Sequence, residues 1–158
     1  MTTVPTMRIL TVCLGNICRS PTAQAAIEEA AADAGIDVEV DSAGTGDWHI
    51  GELPDERMRE AAGNAGLDLT SRARQVEPKD LSAFDLVLPM DRDNLAVLEG
   101  MRSDDTVARI ELFRSWDPSA DGDLEVPDPY YGGRRGFDEV VEICRRTARA
   151  LVEDLTSP

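Results

Sequence analysis

The chain has 158 residues, 42% of them hydrophobic and 30% charged, a mixture that supports one domain with a real core and excludes a disordered or fibrous chain. Acidic residues outnumber basic ones 31 to 16, for a formal charge of −15, and every basic residue except Lys79 is an arginine. Such a surface repels a nucleic-acid backbone and an anionic bilayer, so neither is an expected partner, and an anionic substrate would need a strong local positive site.

Apolar Met7–Val12 reads as a buried strand. A helix follows, with Ser20 as N-cap and Pro21 at the first helical position, running through an alanine-rich stretch to Ala34 and stopping at Gly35. Val38–Val40 alternates as a second strand, and a second helix is predicted over Pro54–Ala65, stopping at Gly66. The two stops read alike, each glycine being followed by an apolar residue (Ile36, Leu67) that packs back on its helix. Phe84–Leu88 is the third strand, Asp91–Gly100 a short helix, and Val107–Phe113 the fourth strand.

Arg114–Arg135, rich in Asp, Pro and Gly, is a loop long enough to suggest function. The last helix, about Phe137–Leu155, carries one apolar stripe of Phe137, Val140, Val141, Cys144, Ala148, Leu151, Val152 and Leu155. Strands alternating with helices predict an α/β fold: a single-domain three-layer sandwich with a four-stranded parallel sheet and helices on both faces. The domain is expected to span 1–158, with flexible ends at 1–6 and 156–158. Met1–Thr6 shows no basic cluster before an apolar stretch, so no leader is expected and cytoplasmic residence with reduced thiols is the default.

Ligands of such folds bind beyond the carboxyl ends of the strands. After strand 1 lies Cys13-Leu-Gly-Asn-Ile-Cys-Arg-Ser20. A cysteine, five residues and an arginine are weak as spacing alone, but here they fall between a strand and a helix start. Backbone N–H groups in a loop curling into a helix cradle an anion, and Gly15 and Asn16 tolerate the left-handed angles of such a curl. Arg19 offers a planar fork to two phosphate oxygens, and the same positive field supports a Cys13 thiolate with no histidine partner. The single histidine, His49, excludes a multi-histidine metal centre, and Cys13, Cys18 and Cys144 form no zinc pattern, so neither metal nor cofactor is expected.

Cys13-Leu-Gly-Asn-Ile-Cys-Arg-Ser-Pro21, followed by Asp41-Ser-Ala-Gly-Thr45, Met90-Asp-Arg-Asp-Asn94 and Val126-Pro-Asp-Pro-Tyr-Tyr-Gly132, resembles the low-molecular-weight protein tyrosine phosphatases over nearly the whole chain. The resemblance implies a metal-independent phosphatase in which Cys13 forms a phosphocysteine, Arg19 and the loop amides of Leu14, Gly15, Asn16, Ile17 and Cys18 hold the phosphate, and Ser20 hydrogen-bonds the sulfur. Ser42 is expected to support Asn16. The residues alone leave two candidate acids, Asp117 and Asp128, each followed by proline; Tyr130 and Tyr131 as aromatic walls favour Asp128, and the resemblance chooses it as general acid and base.

Trp48 is a second wall, His49 a rim residue, and Leu14 and Ile17 either touch the substrate ring or pack beneath the loop. Cys18 either traps an oxidised Cys13 or is a small buried loop residue, and Cys144 belongs to the core. Expected partners are phosphotyrosine proteins, with inorganic phosphate as product and inhibitor, and the expected state is a monomer. Rivals carry specific demands: arsenate reduction would want further cysteines between Cys18 and Cys144, and a phosphocysteine carrier would need neither Arg19 nor Asp128. A silent phosphotyrosine-binding module would not need the full set of nucleophile, arginine and acid. Ser71 stands where many relatives have a histidine.

Overall fold

The computed structural model describes residues 6–157. Residues 1–5 and 158, part of the ends expected to be flexible, lie outside it; Thr6 donates a hydrogen bond to Asp37 (2.9 Å) and Thr156 belongs to the last helix. The elements in order are β1 (Met7–Cys13), α1 (Arg19–Ala34), β2 (Val38–Gly44), α2 (Glu56–Asn64), α3 (Asp80–Ala83), β3 (Leu86–Pro89), α4 (Arg92–Gly100), β4 (Arg109–Ile110) and α5 (Arg134–Thr156), with a 3-10 turn at Phe113–Trp116 before the long loop. The sheet is parallel in the order β2-β1-β3-β4, with Cys13 opposite Gly44 and Val12 opposite Pro89.

Period-two alternation sorts β1 between two cores. Ile9 and Cys13 face a cluster built with α1, α2 and α5, whereas Leu10 and Val12 face one built with Leu81, Leu98 and Val87. Each fully buried aliphatic side chain contributes about 1.5–3 kcal/mol, so both faces drive closure of the three layers. The α1 surface against the sheet and α5 is almost all small (Ala23, Ala26, Ala30, Ala31), which lets the helices approach closely. The expected α5 stripe is buried from Phe137 to Val152, with Leu155 partly so, and Ile143 and Thr147 extend it.

Both glycine stops hold. Gly35 and Gly66 take φ of 70° and 88°, and the following residues donate N–H bonds back into the last turn, Ile36 to Ala31 (3.0 Å) and Leu67 to Ala62 (2.8 Å). Other boundaries moved. Helix α1 begins at Arg19, so Ser20 is not its cap but its second residue; the loop curls tightly enough to start the helix early, and Pro21 still lies in the first turn, where no N–H is required. Helix α2 begins at Glu56 because Asp55 caps it, accepting from the N–H groups of Arg57 and Met58. Strand β4 is only two residues, since this edge strand pairs on one side and the chain turns at Leu112 into the 3-10 turn. Helix α3 was missed because one turn carries no readable period. Among the described residues, no helix is long and apolar enough to cross a membrane.

Candidate active site

Strands β1 and β2 end at a cleft of about 360 Å³ that the long loop before α5 walls, lined by Cys13, Leu14, Gly15, Ile17, Cys18, Arg19, Trp48, His49, Asp128, Tyr130 and Tyr131. The loop after β1 forms its floor. Asn16 adopts φ 57°, the left-handed curl anticipated for it, and its N–H points back at Cys13 Sγ (3.2 Å). Ser20 Oγ accepts from Asn16 Nδ2 at 2.8 Å, which leaves its own O–H available to the sulfur 3.0 Å away. Among the described residues, the N–H groups of Leu14, Gly15, Ile17 and Cys18 donate to no protein acceptor. A ring of free amide donors around a hydrogen-bonded sulfur is a nest for a tetrahedral anion.

Arg19 is almost wholly buried. Its Nη1 donates to Asp91 Oδ2 (2.7 Å) and to the Val126 carbonyl (3.1 Å), and Nη2 lies 3.6 Å from Asp128 Oδ2. Burial by itself would weaken its hold on the proton, but Cys13, Asp91 and Asp128 outweigh that and keep it above the ordinary guanidinium value. Cys18 behaves oppositely: burial first, then Asp55, pushes its thiol up, so it stays protonated and non-nucleophilic at neutral pH. Burial does the same to Cys144 in α5.

The walls come from two loops. Trp48 folds over Gly46 with its ring largely exposed, and His49, hydrogen-bonded through Nδ1 to the Glu52 carboxylate, packs against Gly15. Tyr130 and Tyr131 meet edge to face with centroids 5.0 Å apart, and Arg57 sits 5.4 Å above the Tyr130 ring. Asp128 is partly exposed on the cleft, one carboxylate oxygen accepting from the Tyr130 N–H at 3.1 Å.

Several expectations need correcting. Asn16 and Ser20 do not line the cleft; both are buried beneath the loop and shape it from below. Ser42 does not support Asn16: its hydroxyl is buried with no hydrogen-bond partner among the described residues, and the Asn16 side-chain oxygen instead accepts from the Arg74 N–H (3.0 Å). The reason lies in a strap the sequence did not reveal, Ala73–Val76, which pairs with Gly44 and is clamped by Arg74 to Asp41 and Asp80. Asp117 is fully buried and bound by two arginines, which removes it as a rival acid. Asp91 was missed as a site residue; its place just beyond the carboxyl end of β3, next to β1, was the available signal.

An oxyanion nest, a hydrogen-bonded thiol and a buried arginine at the carboxyl edge of a parallel sheet define a class of α/β protein that handles phosphate-like anions through sulfur. Residues 8–158 match the family model described as low molecular weight phosphotyrosine protein phosphatase. The chain is 44% identical over 151 residues to a low molecular weight protein-tyrosine-phosphatase of Streptomyces coelicolor, covering 93% of this chain and 92% of that one. A protein tyrosine phosphatase from Entamoeba histolytica, solved with Hepes in its active site, superposes with a TM-score of 0.90 at 35% identity, over 95% of this chain and 97% of that one. An arginine phosphatase of Drosophila superposes with a TM-score of 0.89 at 29% identity, over 96% and 99%. The chain belongs to the low molecular weight phosphotyrosine protein phosphatase family, a family of hydrolases.

Proposed function

We propose that the protein hydrolyses phosphotyrosine in proteins by two displacements at phosphorus, without metal or cofactor. Cys13 attacks the phosphorus as the thiolate; an S–P bond forms, the P–O bond to the phenol breaks, and Asp128 gives its proton to the departing oxygen. Asp128, now a carboxylate, takes a proton from water as that water attacks the phosphocysteine and the sulfur departs. The loop amides and the remaining N–H groups of Arg19 bind the three non-bridging oxygens through both steps, and the Ser20 hydroxyl stabilises the leaving sulfur. Inorganic phosphate, the product, competes for the same nest.

The observation that carries this reading is the pairing of Cys13 Sγ, hydrogen-bonded by Asn16 N–H and Ser20, with an arginine whose Nη1 is fixed on Asp91 and Val126. The aromatic walls Trp48, Tyr130 and Tyr131 suit a flat phenol ring. The likeness to an arginine phosphatase favours phosphoarginine as the second reading. Phosphate release from matched phosphotyrosine and phosphoarginine peptides, in the presence of chelator, separates the two. The expected result is turnover of phosphotyrosine, none with Cys13→Ser, and a loss of about 100-fold or more with Asp128→Ala. Preference for phosphoarginine would reassign the substrate, and an unimpaired Asp128→Ala would remove the acid.

A further inference from the structure

The segment that leads up to Asp128 runs from the 3-10 turn through Val126 with almost no regular structure, yet it is tethered at both ends. At the near end the buried Asp117 carboxylate accepts four N–H bonds: Arg146 Nε (2.7 Å) and Nη2 (2.9 Å), Arg114 Nε (3.0 Å) and the Ser119 amide (2.8 Å). At the far end, two residues before Asp128, Val126 donates to the Met90 carbonyl (2.8 Å) and gives its own carbonyl to Arg19 (3.1 Å). Glu125 accepts there too, its carboxylate from the Arg92 amide (2.8 Å) and its carbonyl from Arg114 Nη1 (2.9 Å). Among the described residues, Arg114 is thus the one side chain bonded to both ends, with Asp123 a further 3.7 Å neighbour of its Nη1.

We propose that Arg114 is a positioning residue for the acid. It fixes the Glu125–Val126 backbone against the Asp117–Arg146 anchor and so sets where Asp128 stands over the departing oxygen. This rests on the reading of Asp128 as the acid. The fork geometry matters: Nε and Nη1 point to different acceptors, and a lysine nitrogen supplies only one of the two. Arg19 keeps its separate bond to Asp91, so phosphate binding is spared when Arg114 is changed.

The test uses aryl phosphates whose phenols differ in acidity, because a displaced acid is missed most by a poor leaving group. Arg114→Lys and Arg114→Gln are compared with wild type and Asp128→Asn in kcat/KM on 4-nitrophenyl and phenyl phosphate. Inhibition by inorganic phosphate and the melting temperature are measured alongside. Arg114→Lys is expected to lose about fivefold more kcat/KM on phenyl than on 4-nitrophenyl phosphate, with the inhibition constant for phosphate changed by less than about twofold. An equal loss on both substrates, or two variants that fail to fold, would assign Arg114 to the fold alone and overturn the proposal. If Asp128→Asn itself shows no dependence on the leaving group, the acid reading fails; if it does and Arg114→Lys does not, only the positioning role fails.

Discussion

The two loops that meet over the cleft are built on opposite plans. The floor, Cys13–Ser20, is eight contiguous residues whose shape comes from a left-handed Asn16, a helix start and hydrogen bonds among Cys13, Asn16 and Ser20. The loop that carries Asp128 has almost no local structure and is held by ion pairs and hydrogen bonds from the residue after β3, from α4 and from α5. In the proposed reaction the nest holds one anion still, and it is built from backbone; Asp128, which that reaction brings to the departing oxygens of different substrates, is hung from side chains, and its precision depends on distant residues.

Disrupting the tether separates the two plans most sharply. Asp117→Ala leaves two arginines facing an emptied buried site and is expected to cost about 3–5 kcal/mol, read from denaturant unfolding. The pH dependence has a defined sign. Arg146 first, then the Ser119 amide and Arg114, hold the Asp117 carboxyl well below its ordinary range in spite of burial. Its stabilisation is therefore complete above the unfolded-state value near pH 4 and is lost as pH falls through the depressed folded value. The stability gap between wild type and Asp117→Asn should be widest near neutrality and close progressively below about pH 4; a constant gap would contradict the ion-pair account.

On the floor, a Cβ added at Gly44 would stand 2.8 Å from the Leu14 carbonyl and 3.1 Å from Asn16 N. Gly44→Ala should displace the nest and lower kcat/KM by about 100-fold for good and poor leaving groups alike. A loss that grows with leaving-group pKa would mean the floor also carries the acid's position, and the contrast between the loops would break. Gly35→Ala, far from both loops, should cost only about 1 kcal/mol through its positive φ and leave turnover unchanged. Smallest of all is Ser42→Ala, which removes a buried hydroxyl without a partner among the described residues and should leave stability unchanged or raise it by less than about 1 kcal/mol.

What the sequence revealed follows the same division. The floor was legible because its residues are neighbours: thiol, glycine, asparagine, arginine and helix start lie in one string. The α5 stripe and the glycine stops were legible because helical period and αL geometry are local. Arg74 on Asn16, Asp91 on Arg19 and Arg146 on Asp117 were not, being pairs brought together only by the sheet order and the packing of α5. Ser20 shows the limit within a local motif: its type and position suited a cap, the tightness of the curl makes it the second residue of α1 instead, and the bond to sulfur that the resemblance implied is the one its hydroxyl makes.

The buried arginine within an acidic shell has a kinetic consequence. Asp47, Glu52 and Asp128 lie in the loops around the cleft of a molecule whose formal charge is −15. A phosphorylated peptide therefore approaches against a repulsive field and meets attraction only on reaching the nest. Mobile ions shorten the reach of that field to about 8 Å at physiological ionic strength and to about 3 Å at 1 M, while the enclosed nest is screened far less. Added sodium chloride should then speed encounter with acidic peptides rather than slow it, the reverse of the behaviour of a cleft that attracts its substrate from a distance.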